Sequence, residues 1–243
     1  VQILVSMQER YLGDIHDFFK FNYLEYLAKK LDSRVGLNWY LVSPNDLGKN
    51  ELLKNDGEKR DFINNKDFVG MNPQLANNLS QFIDPKKRNI SYFTKTFYLK
   101  KFIKFYKKII KIEARENWFK ESLIFFQNID IIFLDPDNGI TFTNKGKLSL
   151  KYLNLNELDN YFNSGKIVIF TQFQSFNTCN QEYINSIVRN LKNFNLKINY
   201  PIIRNRTGPN TFYISLSKNT NFEYIKVIEN YSKKFKKIEL LNF

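Results

Sequence analysis

Two carboxylates, Asp135 and Asp137, sit in the turn that closes the stretch Ile129–Ile140, IDIIFLDPDNGI. Ile131-Ile132-Phe133-Leu134 is a short unbroken apolar run, the pattern of a strand buried on both faces. Asp135-Pro136-Asp137-Asn138-Gly139 stops it, because proline cannot donate to a ladder and Asn-Gly marks a turn. The acids therefore fall just past the C-terminal end of a central strand, where open α/β sheets place their ligands. Three chemistries suit them. A carboxylate or carbonyl at this point can accept the N–H of an exocyclic amine and aim its nitrogen for methyl transfer, which gives Asp135, Pro136, Asp137 and Asn138 a catalytic, orienting role. Asp135 and Asp137 can also hold Mg²⁺ with phosphate oxygens as further ligands. Alternatively, Asp135 can accept a phosphoryl group with Asp137 as acid–base.

A second set of candidates opens the chain. Asp14 can cap a helix running from Ile15 to Leu31, whose apolar residues Ile15, Phe18, Phe19, Tyr23, Leu24 and Leu27 keep helical spacing. Asp17 and Lys20 are three apart and share one face of it. For a Mg²⁺-dependent nuclease or phosphohydrolase, Asp14, Asp17, Asp56, Asp61, Asp135 and Asp137 could supply ligands if the fold gathers two or three of them. Composition narrows the remaining choices. His16 is the only histidine and Cys179 the only cysteine, which excludes an intrachain disulfide and cysteine or histidine-rich metal sites, and fits a reducing cytoplasm. No apolar run reaches the roughly 20 residues of a membrane span, and the start shows no signal-peptide pattern.

The net charge is +13, a balance that favours nucleic acid. Residues 86–115 hold eleven lysines or arginines against one acid, Glu113, a local net of +10. Here Lys100, Lys104, Lys107, Lys108 and Lys111 fit one helical stripe, with Leu99, Phe102, Ile103, Tyr106, Ile109 and Ile110 opposite, so the spacing predicts a helix with a polyanion-binding face. Arg204 and Arg206, in a turn near Gly208, are further phosphate contacts by residue type.

These sites need a scaffold. Strands are expected at Val35–Val42, at the Ile131–Leu134 run, at Lys166–Thr171, at Lys197–Ile203 and at Thr211–Leu216, with an edge strand at Lys237–Leu241. Helices are expected over Trp118–Gln127, from a Ser149 or Asn156 cap to Phe162, over Gln181–Leu191 and over Phe222–Tyr231. Thr171, Gln172 and Gln174, at or just past the Lys166–Thr171 strand, would line the same edge as Asp135. Alternating strands and helices ending in a hairpin predict one α/β domain over residues 1–243: a Rossmann-like, mostly parallel sheet with an antiparallel hairpin near the C-terminus. Residues 46–115 read as a mostly helical, basic insertion.

Tyr11-x-Gly13-Asp14-x-x-Asp17-Phe18-x-Lys20, Trp39-Tyr40-Leu41-Val42, Asn55-Asp56-Gly57 and Asp135-Pro136-Asp137-Asn138-Gly139 together resemble an uncharacterised family of bacterial proteins. More distantly, the layout resembles the ribosomal-RNA adenine-N6 methyltransferases and the three-Cys-motif partner proteins. That resemblance implies a Rossmann-like methyltransferase fold and S-adenosylmethionine as cofactor, held by Tyr11, Gly13, Asp14, Asp17, Lys20 and Asp56. Lys20 would meet the cofactor carboxylate, and Asp135-Pro136 would orient the target amine. The chain departs from the pattern at Ser43-Pro44-Asn45-Asp46, where that superfamily has a glycine-rich turn, and at Asn138, where it has an aromatic residue. The sequence thus leads to a methyltransferase-like protein acting on nucleic acid. Its alternatives are the Mg²⁺-dependent hydrolase, a haloacid-dehalogenase-like phosphatase resembled through Asp135-x-Asp137, and a non-catalytic nucleic-acid-binding protein on a degenerate Rossmann scaffold.

Overall fold

A computed structural model describes residues 8–48 and 59–242. The chain begins with α1 (Gln8–Tyr11), α2 (Ile15–Lys30), β1 (Val35–Asn38) and α3 (Pro44–Leu47). Then come α4 (Lys66–Met71), α5 (Pro73–Ser80), α6 (Ile90–Thr96), β2 (Ile103–Tyr106), α7 (Arg115–Phe125) and β3 (Ile131–Leu134). The second half holds β4 (Ile140–Thr141), β5 (Leu153–Asn154), α8 (Leu155–Asn163), β6 (Ile167–Phe173) and α9 (Asn180–Asn193). It closes with β7 (Ile202–Asn205), β8 (Thr211–Leu216), α10 (Phe222–Lys234) and β9 (Ile238–Leu241).

The expected α/β class is present. One seven-stranded sheet runs β2-β1-β3-β6-β8-β7-β9. The four strands from β2 to β6 are parallel, and β8, β7 and β9 pair antiparallel at the C-terminal end. Side-chain alternation splits the core in two. Val35, Leu37, Ile131, Phe133, Ile167 and Ile169 face one layer with α2, α5, α6 and α10. Ile132, Leu134, Val168 and Phe170 face the other with α7, α8 and α9. β3 is buried at all four positions, which is why it reads as a continuous apolar run. Each such side chain contributes roughly 1.5–3 kcal/mol of burial free energy.

Several expectations need correction. The lysine-bearing helix does not form. Tyr98–Lys101 is a 3₁₀ turn and Ile103–Tyr106 is the edge strand β2, paired parallel to β1. Its four residues suit either period, and the β-branched and aromatic side chains of Ile103, Phe105 and Tyr106 find a free sheet edge to pair with. The lysines are therefore split across the sheet. Lys100 precedes β2, and Lys107 and Lys108 follow it. Lys104 lies within it, with Nζ donating to the Phe125 carbonyl at 2.6 Å. So residues 46–115 are helical through much of their described part, but they return a strand to the main sheet. The first strand stops at Asn38, because Tyr40 takes φ +46° and buries its side chain, and Val42 rejoins through an isolated bridge to Ile110. α8 is capped at Asn154 rather than at Ser149 or Asn156, by a reciprocal box with Glu157. β7 covers Ile202–Asn205 instead of 197–203. No helix among the described residues is long and apolar enough to cross a membrane.

Candidate functional site

The chain passes from β1 to β2 on one side and then to β3 on the other, so the order of strands reverses between β1 and β3. The crevice outside the carboxyl ends of strands at such a reversal is the general ligand position of open α/β sheets. Asp135 leaves β3 here, with its amide donating to the Asn38 carbonyl at the end of β1 at 2.9 Å. A cleft of about 490 Å³, within the range of small-molecule sites, opens at this point. Tyr11 reaches it from the end of α1, Asp14, Asp17 and Lys20 from the cap and first turns of α2, and Asp135, Pro136, Asp137 and Asn138 from the end of β3.

The floor is a charge cluster. Lys20 Nζ lies 2.6 Å from Asp17 Oδ1 and 2.5 Å from Asp135 Oδ2, with all three side chains largely buried. Thr171 Oγ1 donates to Asp135 Oδ1 at 3.1 Å, and the Gly13 amide to Asp17 Oδ2 at 2.8 Å. Gly13 takes φ +80°, and a Cβ there would stand 2.7 Å from Phe82 Cβ, so its part is to shape the turn rather than to line the cleft. Asp14 caps α2 as expected, its Oδ1 accepting from the amides of His16 and Asp17 at 2.9 and 3.0 Å. Asp137 pairs with Lys151 at 3.0 Å.

Burial alone would lower the Lys20 pKa, but Asp135 and Asp17 together outweigh it and hold the ammonium above its ordinary range. Burial pushes the Asp135 carboxyl up, and Lys20 offsets that push in part. Asp14 has no ion-pair partner among the described residues. Burial, then the Asp17 carboxylate, raise it to about 7, against the amide of Asp17, Lys20 and Arg60. His16 goes the other way. Burial lowers it to about 4, so the imidazole is neutral at neutral pH. The cluster can accept hydrogen bonds from an amine at Asp135 and can exchange a proton at Asp14 near neutrality.

Asp17 and Asp135 do converge, as the Mg²⁺ chemistry requires, but they converge on an ammonium. Among the described residues no three His, Cys, Asp or Glu side chains are arranged to hold a metal. Asp61 begins a 3₁₀ turn and is not among the residues lining the cleft, and Asp56 lies outside the described residues. The lysines are elsewhere. Lys107 donates to Thr94 Oγ1 at 3.1 Å, Lys108 pairs with Glu121 at 2.8 Å, and Lys100 donates to the Lys95 carbonyl at 2.8 Å. Lys111 is exposed before α7. Arg204 sits on β7 in a pair with Glu239 at 3.1 Å, and exposed Arg206 joins its amide to the Lys237 carbonyl.

Apart from Gln174 and His16, the one histidine available for acid–base work, the other cleft residues were not expected as site residues. His16, Trp39, Lys59, Lys151, Phe173, Phe176 and Pro209 complete the lining. Trp39 directly follows β1, and Phe173 ends β6 two residues beyond the expected strand end. Lys151 carries no local signal. It reaches the site because β4 and β5 pair as a small separate sheet and fold its loop back, with the Asn138 amide on the Lys151 carbonyl at 2.9 Å. Arg115 braces that loop through a double contact with Glu157, at 2.6 and 2.9 Å, and two carbonyls, Ser149 and Tyr152, each at 2.7 Å. Gln172 is structural instead. It is buried, accepts from the Ile140 amide at 2.9 Å and bonds Tyr183 at 2.5 Å.

Gly139 closes the motif at φ +80°, and a Cβ there would lie 2.2 Å from Gln172 Oε1. Because Gln172 is held at both ends, it cannot swing aside. Gly139→Ala is expected to cost roughly 1–3 kcal/mol from the positive φ and the overlap combined, measured as a lowered urea midpoint. An unchanged midpoint would show that the turn re-forms without this contact.

No family model, curated protein or solved structure matches the chain.

Proposed function

We propose that the protein binds nucleic acid on a Rossmann-like, methyltransferase-like scaffold and takes a base amine into the cleft at Asp135 and Pro136. The observation that carries this is the Lys20–Asp135 ion pair, which joins the start of α2 to the end of β3 at the strand-order reversal, inside a nucleoside-sized cleft with aromatic walls. Strand order supports the scaffold. If β1, β2, β3, β6 and β7 are strands one, two, four, five and six of the doubly wound order, the sheet runs 2-1-4-5-x-6, with antiparallel β8 in the extra place. The net charge of +13 supports a polyanion partner. Lys107, Lys108 and Lys111, beyond the C-terminal end of β2, and Lys59 at the cleft lie toward the edge that would face it.

Two observations weigh against S-adenosylmethionine in this cleft. Trp39, Tyr40, Leu41 and Val42, just past β1, are at most 4% exposed and packed into the two cores, where a cofactor site of that kind would have a glycine-rich turn. Lys20, the residue matched to the cofactor carboxylate, already holds two buried carboxylates. The proposal is accordingly for binding and orientation of a base, with no step through that cofactor.

Fluorescence anisotropy with labelled single-stranded and duplex oligonucleotides tests it. Binding is expected to weaken steeply as salt rises, because each phosphate contact releases a counterion. Lys107→Glu with Lys111→Glu should weaken it about equally for all sequences. Absence of binding at low salt by folded protein would sink the proposal. Transfer of methyl mass to the oligonucleotide from S-adenosylmethionine would overturn its non-methylating part.

A further inference from the structure

Residues 85–112 carry ten lysines or arginines and no acid. They do not form the expected helix, yet the fold gathers several of them around α6. The inner face of α6, with Ile90, Phe93 and Thr94, is buried. Phe93 packs on Trp39, a residue of the cleft wall, with ring centroids 5.6 Å apart. The helix therefore backs the cleft, and its outer face, with Ser91, Tyr92, Lys95 and Thr96, is exposed. Two lysines from further along the chain reach it. Lys100 donates to the Lys95 carbonyl at 2.8 Å, and Lys107 to Thr94 Oγ1 at 3.1 Å. Lys107 follows β2, which runs parallel to β1 and β3, so it joins α6 to the sheet edge that holds Asp135.

The charge of this face is not cancelled locally. Lys108 pairs with Glu121, whereas Lys100 and Lys107 hold neutral oxygens. The acids at the start of α6 are engaged with backbone: buried Glu9 accepts from the Ile90 amide at 3.0 Å, and Asp84 from the Lys86 amide at 3.0 Å. Amid these lysines Tyr92 leaves its ring 48% exposed, one helical turn from Lys95.

We infer that the outer face of α6 docks single-stranded nucleic acid, with Tyr92 stacking on a base and Lys95, Lys100 and Lys107 holding the flanking phosphates. This rests on the nucleic-acid-binding function proposed above and adds the form of the partner and its path, across α6 and over the sheet edge to the cleft. A basic track set with an aromatic ring suits a single strand, whose bases can offer their faces. In a duplex those faces are covered by neighbouring base pairs, so only the phosphate contacts remain.

Anisotropy with labelled oligothymidine and with a labelled duplex of equal length, each over a range of salt, tests this. Tyr92 joins the helix through its amide and carbonyl, which every variant keeps, and urea midpoints check that each variant folds. Tyr92→Ala is expected to weaken single-strand binding at least about fivefold and to leave duplex binding unchanged. The salt dependence should stay as it was, because no phosphate contact is lost. Tyr92→Phe keeps the ring and should bind like the wild type. Lys95→Gln with Lys100→Gln should instead reduce the logarithmic salt slope for the single strand by about 0.7 per lysine. Unchanged single-strand affinity in Tyr92→Ala, an equal loss for the duplex, or the same loss in Tyr92→Phe would overturn this inference and leave the proposed function standing. Failure of the folded protein to bind either oligonucleotide would overturn both, and binding of phosphatidylserine vesicles in that case would assign the basic face to a membrane surface.

Discussion

Lys20→Met is expected to destabilise the protein by roughly 3–5 kcal/mol at pH 7, the scale for removing one partner of a buried ion pair. The methionine fills much of the lysine volume, so most of the loss comes from Asp17 and Asp135, left facing each other with no ammonium between them. Exposed pairs such as Lys108–Glu121 would lose far less on the same change. The pH dependence carries the mechanism. The native pKa of Lys20 is raised above its ordinary 10.5, so its contribution is fully present below about that pH and fades only as pH rises through the raised value. In Lys20→Met the deficit should shrink as acid protonates the abandoned carboxylates, beginning with Asp135, which burial already pushes up. Asp135→Asn added to Lys20→Met should therefore restore part of the stability, a non-additive pair in a double-mutant cycle. Urea titrations of the four proteins at pH 5, 7 and 9 measure this. A loss below about 1 kcal/mol at pH 7 would mean that water already screens the cluster.

How the sequence foreshadowed this cluster shows what local patterns carry. Asp14, Asp17 and Lys20 were legible because one helical turn fixes their relative positions and the Asp14 cap sets where the helix begins. Asp135 was legible because β3 is buried on both faces and Pro136 cannot continue it. Their meeting across 115 residues was legible only through topology, since both lie at the C-terminal edge of a parallel sheet. Lys104 shows where such inference fails. In four residues, Ile103-Lys104-Phe105-Tyr106 satisfies a helical stripe and a strand alternation alike, and the unpaired edge of β1 decides. Lys151 and Pro209 were illegible for a different reason. They arrive on loops whose positions depend on distant braces, Arg115 with Glu157 for the first and the β7–β8 turn for the second. His16 was in plain view as the only histidine, but nothing in the sequence reveals that burial lowers its pKa.

Asp14→Asn is expected to stabilise the protein by roughly 2–4 kcal/mol at pH 8 and to change little at pH 4. Asparagine is as good a cap as aspartate, and its Oδ1 can still accept from the His16 and Asp17 amides. What changes is the charge. Burial and Asp17 raise the Asp14 carboxyl from its ordinary 3.8 to about 7. A carboxyl raised in the native state contributes its stability in full below 3.8 and loses it as pH rises toward about 7. The wild-type stability should thus fall across that interval relative to the variant, by about 4 kcal/mol at most. Urea midpoints of both proteins from pH 4 to 9 give the difference curve, and parallel curves from pH 5 to 8 would sink the assignment. A chain selected for stability alone would carry asparagine at this position. Keeping a carboxyl there, beside Asp17 and Lys20 and open to the cleft, is the kind of stability cost that binding and catalytic sites retain. The same linkage extends to ligands. One that brings a positive charge to Asp14 should release a proton on binding near pH 7, a release that Asp14→Asn abolishes and that calorimetry in buffers of different ionisation enthalpy would register.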